Sequence, residues 1–192
     1  MDSLKMERNI EALNDLREDA RRIQRSGLPF MLSSVILWSM ISLVQFLDIS
    51  QVAKNTFTFG TSMFLFPLSL LFAKILKANF IRRTKNPVNA LGFMMTMNQM
   101  LYLLIVMWAY NQRPVGMLMV YAMVFGAHLL PFSWVYECKG YMVMSIIETI
   151  GAFLVGVFLG NLAVAPFIVI CQIILNVLIF ANERKVARKV EN

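Results

Sequence analysis

One histidine and two cysteines in 192 residues leave little room for metal or thiol chemistry. His128, Cys138 and Cys171 have no metal-site spacing, and a lone histidine cannot make a bis-histidine haem or a di-metal centre. The two thiols fall at different depths, one at the edge of an apolar run and one inside another. No disulfide framework follows, and both read as small buried hydrophobes. Also missing are G-x-S-x-G, H-E-x-x-H, a glycine-rich phosphate loop and a pair of intramembrane aspartates. No metal and no cofactor is therefore expected, and an enzyme is the least supported class. The period-two alternation of a membrane barrel is absent as well.

What the chain does have is apolar length. It is 58% hydrophobic and only 15% charged, with a mean hydropathy of +0.64. Several apolar runs approach the roughly 20 residues that a helix needs to cross hydrocarbon. In lipid every backbone group must be satisfied internally, and without a barrel that leaves helices. These features exclude a soluble globular domain. The expected fold is an all-α integral membrane protein: a six-helix transmembrane bundle preceded by an amphipathic cytosolic helix. The implied division is residues 1–26, the membrane domain 27–182 and a basic cytosolic tail 183–192.

Residues 1–26 lack the apolar core and small-residue cleavage site of a signal peptide. Met6, Ile10, Leu13, Leu16, Ala20 and Ile23 recur at three- and four-residue steps and form an apolar stripe. Glu7, Glu11, Asp15, Glu18 and Arg22 occupy the other face. Acidic and basic residues balance, and the stripe has no Trp or Phe, unlike a lipid-surface anchor. Docking on the protein's own loops, or on a second copy, is the favoured reading. Gly27-Leu-Pro29 then breaks the helix and restarts it.

The six spans are expected at 29–47, 57–76, 90–110, 115–134, 141–160 and 162–181. Sixteen of the 18 Lys and Arg residues then face one side, with only Lys54 and Arg113 opposite. That bias places both termini in the cytosol of a cell-membrane protein. It also explains the net charge of +7 without nucleic acid as a partner. Lys77, Arg82, Arg83 and Lys85, in a loop with no acid, are candidates for contact with anionic headgroups. Trp134, Tyr136 and Tyr141 would mark the inner boundary, with Trp108 and Tyr110 at the outer one. Pro67 and Pro131 sit inside the second and fourth spans as candidate kinks or gates, and Pro166 lies in the sixth. The similar runs Phe66-Pro-Leu-Ser and Leu130-Pro-Phe-Ser suggest a faint hairpin repeat, an architecture common in transporters.

Ionisable groups in hydrocarbon are functional candidates by default. Glu148 is the one acid deep in an apolar run. Ala152, Gly156 and Gly160 follow at four-residue steps, so the carboxyl shares the small-residue face along which helices pack. His128 precedes Pro131 by three residues, and the proline should loosen the helix beside it. Counted from the inner boundary, His128, Glu148, Asn98 and Asn176 fall in one layer roughly 8–12 Å deep. Tyr102 shares a face with Asn98, Tyr121 with His128, and Gln172 with Asn176. Ser34, Trp38, Ser42 and Gln45 line the first span, and Thr58, Ser62 and Ser69 the second. The bland alternatives are a neutral Glu148 making one interhelical bond and a His128 bonded to a nearby carbonyl.

The block Gly126-Ala-His-Leu-Leu-Pro-Phe-Ser-Trp-Val-Tyr136, the Leu28-Pro-Phe30 start of the first span and the basic loop resemble a group of small bacterial multi-pass membrane proteins. That group has no assigned function and covers most of the membrane domain. The resemblance implies a bacterial plasma membrane and lends no active-site residues. The leading expectation is a transporter or channel-like protein with a protonatable site built on Glu148, His128, Asn98, Tyr102, Tyr121, Asn176 and Gln172. The alternatives are a non-catalytic interaction subunit working through its N-terminal helix and basic loop, or an intramembrane enzyme on a lipid-like substrate. The bilayer, a small molecule or proton, and a second copy are the expected partners.

Overall fold

The computed structural model describes the backbone of residues 2–79 and 85–191, and within these the side chains of residues 3–79 and 85–186. The described residues contain no strand. Helix α1 spans Asp2–Gln24, and a short tight turn, Arg25–Gly27, leads into α2, Leu28–Gln45. Then follow α3 (Gln51–Ser62), α4 (Leu65–Leu76), α5 (Pro87–Gln112), α6 (Met117–Ala127), α7 (Leu130–Val135), α8 (Lys139–Phe158) and α9 (Asn161–Glu191). Joined across their breaks, these make six helical stretches long and apolar enough to cross a membrane. The protein is an all-α membrane-spanning bundle.

Two spans are interrupted, and each break lies just ahead of a proline. Pro67 has no N–H for the carbonyl of Met63, and its ring crowds that oxygen, so α3 ends and α4 begins around Met63 and Phe64. Pro131 does the same to Ala127, and the chain turns at His128 and Leu129 between α6 and α7. Tighter bonds bridge both turns, Phe64 N to Thr61 O at 3.0 Å and Leu129 N to Gly126 O at 3.2 Å. Pro166 leaves α9 unbroken, so the three proline-bearing spans are not three copies of one interrupted unit.

Helix ends depart from expectation at two places. The second span starts at Gln51, because Ser50 caps it and accepts from Ala53 N at 3.2 Å. The last helix runs through residue 182 to Glu191.

Helices α2, α6, α8 and α9 form the centre: α2 packs on α9, α6 on α8, and α8 on α9. The α3–α4 span lies mainly against α2, and α5 against α6. Two apolar clusters fill this centre. One, toward the α1 end, includes Met31, Tyr141, Met144, Leu175 and Ile179. The other includes Leu37, Trp38, Ala152, Val164 and Ile168. On α2 and α8 the polar residues Ser34 and Glu148 fall between members of the two clusters.

At the α1 end the chain passes through three consecutive left-handed residues, Arg25 (φ 49°), Ser26 (φ 49°) and Gly27 (φ 75°). For Arg and Ser that conformation costs about 1–2 kcal/mol per residue, and the surroundings hold it in place. Tyr141 Oη donates to Ser26 O at 2.7 Å, and Ser26 Oγ donates to Glu183 Oε1 at 2.5 Å. Tyr136 Oη donates to Gln24 Oε1, while Gln24 Nε2 donates to Asn89 Oδ1. Asn79 N donates to Ile23 O at 2.8 Å. Tyr136 and Tyr141, expected at this boundary, are buried members of the junction, while Trp134 and Trp108 are exposed.

Candidate functional site

Glu148 sits at 0% exposure on α8, which packs on α9, and α9 in turn packs on α2. Gln172 Nε2, on α9, donates to both of its carboxyl oxygens, at 2.8 and 3.0 Å. Ser34 Oγ, on α2, lies 2.6 Å from Gln172 Oε1 and 2.7 Å from the carbonyl of Met31, with a single hydrogen to give. Asn176 Nδ2 donates to that same Met31 oxygen at 2.9 Å and to Gln172 O at 2.8 Å. Its Oδ1 is buried without a partner. Three helices therefore meet through one chain of polar side chains closed off from solvent.

Electrostatically the node is unbalanced. The ion pairs among the described residues, Arg17–Glu137 and Arg21–Glu18, are both made by α1. None involves Glu148. An isolated buried carboxylate costs several kcal/mol even after relaxation, and here one amide N–H₂ group is what offsets it. The thiol of Cys171 lies within electrostatic range. Helix α6 covers the site from the side. A Cβ on Gly126 would fall 2.7 Å from Glu148 Cβ and 2.9 Å from Thr149 N, so only glycine allows this approach.

The polar layer expected from depth counting is smaller than four helices. Glu148, Gln172 and Asn176 come together, and Ser34 joins them. His128 does not: its Nδ1 lies 2.5 Å from the carbonyl of Phe125, and its ring packs between Phe125 and Phe132. Equal depth left its direction open, and the break at His128 turns the ring into an aromatic column instead. Tyr121 belongs to that column. It stacks on Trp38 with ring centres 5.3 Å apart, and its Oη shares a 2.7 Å bond with Ser62 Oγ of the interrupted second span. Asn98 is half-buried and Tyr102 is exposed, both on α5, which packs on α6 and not on the three helices of the node. Its neighbour Gln99 is buried, with Oε1 unpartnered.

The glycine face is filled from within the chain. Ala152 is buried in the far cluster, and a Cβ on Gly156 would strike Met119 of α6 at 2.6 Å. Gly160 takes φ +81° in the turn between α8 and α9, with open space beside it. A cavity of about 360 Å³ opens there, lined by Gln51, Met119, Gly156 and Asn161 among others, with no ionisable group. Lys77 and Lys85 are exposed at the opposite end, while Arg82 and Arg83 lie outside the described residues.

Sequence reasoning missed Gly126 as the close-approach position, the Glu148–Gln172 partnership, and the junction of Ser26, Tyr141 and Glu183. Gly126 carried a signal: a glycine inside an apolar helix two residues from a histidine. The junction carried none, since positive φ at Arg and Ser leaves no mark on composition.

A helical membrane protein of six spans with one buried, polar three-helix node is thus the class this fold defines. Residues 13–182 match the family described as "Family of unknown function (DUF7010)", and the chain belongs to that family. No curated protein and no solved structure matches it.

Proposed function

We propose that the protein is a small proton-linked transporter or channel, set in the cell membrane with its α1 end in the cytosol, and that Glu148 takes up and releases the proton. One observation carries this reading: a fully buried carboxyl, without a cationic partner among the described residues, held at the end of a buried polar chain that links three helices. Such a group is expensive as a mere spacer, because an apolar side chain of similar size would pack the same helices at less cost. The interrupted spans supply the means of reaching it. Gly126 closes over Glu148, and the break at His128 and Leu129 follows directly, so a small rotation of α6 about that break would open the carboxyl to water. His128, bonded within its own helix, serves the hinge and not the proton path.

The test is proton flux. Purified protein is reconstituted into vesicles with a trapped pH-sensitive dye, and a pH gradient is imposed. Wild type dissipates the gradient faster than protein-free vesicles, Glu148→Gln falls to the protein-free rate, and His128→Ala keeps most of the wild-type rate. Equal rates for wild type and Glu148→Gln would remove the proposal.

A second reading has its own observation. The apolar stripe of α1 is docked only over its second half, and Met6, Ile10 and Leu13 stay exposed. If the protein is instead an interaction subunit, removing residues 2–14 abolishes its cellular effect while Glu148→Gln leaves it intact.

A further inference from the structure

The hydrogen bonds around Glu148 point two ways at once. Burial without a cation works against the charged carboxyl, yet a bridging amide N–H₂ on both oxygens is an arrangement made for a carboxylate. Every other member of the chain has a second partner within reach. The side chain of Gln172 carries a donor and an acceptor on one rotatable group, and Ser34 Oγ has two acceptors, Gln172 Oε1 at 2.6 Å and Met31 O at 2.7 Å.

We infer that Glu148, Gln172 and Ser34 form a proton-reversed relay, in which a proton on Glu148 flips the Gln172 amide and redirects Ser34 from Gln172 to the Met31 carbonyl. With Glu148 ionised, Gln172 Nε2 donates to the carboxylate and Ser34 donates to Gln172 Oε1. With Glu148 protonated, its O–H donates to Gln172 Oε1, now turned toward it. Nε2 then donates to Ser34 Oγ, and the Ser34 hydrogen goes to Met31 O. No covalent bond changes beyond the proton gained; after the flip one Nε2 hydrogen takes Ser34 Oγ as its acceptor, and the other gives up the carboxyl oxygen it held, a cost that the neutral carboxyl offsets. The far end of the relay is mechanical. Asn176 Nδ2 also donates to Met31 O, at 2.9 Å, and keeps an alternative acceptor in Gln172 O at 2.8 Å. A proton on α8 therefore changes how many hydrogens compete for one oxygen of α2, and so how firmly α9 is tied to it.

The titratable groups facing this site are few. On α9 there is Cys171, and on the α6–α7 side there are Tyr121 and His128, both bonded elsewhere. Residues Leu28–Gln45 of α2 include no ionisable side chain. With Tyr121 and His128 bonded elsewhere, Cys171 is the one other titratable side chain named beside Glu148.

The relay rests on Glu148 being the proton site proposed above, and the two can fail separately. Full-length protein in lipid nanodiscs, labelled with carbon-13 at the side-chain carbonyl of glutamine, is titrated under infrared difference spectroscopy. A carboxyl band that Glu148→Gln abolishes is expected to appear with a single midpoint. The labelled amide band is expected to shift at that same midpoint, and Gln172→Met, close in volume, removes the amide shift. A carboxyl band that titrates with no amide response in wild type, or with a response that survives Gln172→Met, overturns the relay and leaves the proton site standing. A Glu148 carboxyl that does not titrate overturns both. The wild-type coincidence is read without the variant, so a poorly folding Gln172→Met still leaves a decisive result.

Discussion

Gly126 sets how close α6 comes to Glu148, and it does so by having no side chain. A methyl group there meets both a Cβ and a backbone nitrogen of α8, neither of which can swing aside. Gly126→Ala is therefore expected to destabilise the protein by about 1–3 kcal/mol, the usual cost of overpacking, and to lower its melting temperature in detergent. Gly27→Ala should do the same for a different reason, since φ +75° disfavours any Cβ and the new atom would lie 2.8 Å from Tyr141 Oη. At this scale the sequence was legible for direction and illegible for partnership. The four-residue steps from Glu148 through Ala152 and Gly156 put the carboxyl on a packed face, which follows from helix geometry alone. Which amide meets it depends on the rotation of α9 about its axis, and no local pattern encodes that. Depth counting failed for His128 and Asn98 on the same ground: depth is one coordinate, and rotation about the helix axis is another.

Helix α1 is one element with two environments. Its second half is tied down: Arg17 donates to Trp134 O at 2.9 and 2.6 Å and pairs with Glu137 at 2.9 Å, while Asn86 Nδ2 donates to Leu16 O and to Asp19 Oδ2. Ala20 is fully buried. The first half touches little, and residues 3–15 are exposed. Removing residues 2–14 should thus leave the melting temperature unchanged. Ala20→Asp, which buries a charge in the docked face, should release the helix and raise hydrogen exchange across residues 16–28. Cys138 gives a second readout. Burial at the junction pushes its thiol up from the usual range, so alkylation is slow in wild type and faster once Ala20→Asp frees α1. The periodicity of the stripe revealed the helix, and the balanced charge pointed to docking on protein. Where docking stops was not readable, because Met6 and Leu16 are equally apolar and only the length of the bundle's end separates them. The breaks ahead of Pro67 and Pro131 were legible from the missing N–H and the crowded carbonyl four residues back, although the same signal at Pro166, in the second turn of α9, leaves that helix unbroken.

At the scale of the molecule, the number of crossings decides which groups share a side. The interrupted spans are the weak points of that count, because a broken helix that turned back would reverse everything after it. The tie between Ser26 and Glu183 argues that neither does. Ser26 precedes the first span and Glu183 lies near the end of α9, beyond its apolar stretch, so a direct bond between them requires an even number of crossings. The packing of α2 on both halves of the second span, α3 and α4, and of α8 on both halves of the fourth, α6 and α7, fits six and not four. In the orientation proposed above, that shared side is the cytosolic one. Reporters fused after Asn192 and inserted after residue 112 should accordingly give opposite results. Green fluorescent protein should light up at the first site, and alkaline phosphatase should be active at the second. Phosphatase activity at both sites would mean an even number of crossings after residue 112 in place of three, and would break the junction of α1, α8 and α9 on which the closed end of the bundle depends; phosphatase activity at the C-terminal site alone would keep the count and reverse the proposed orientation.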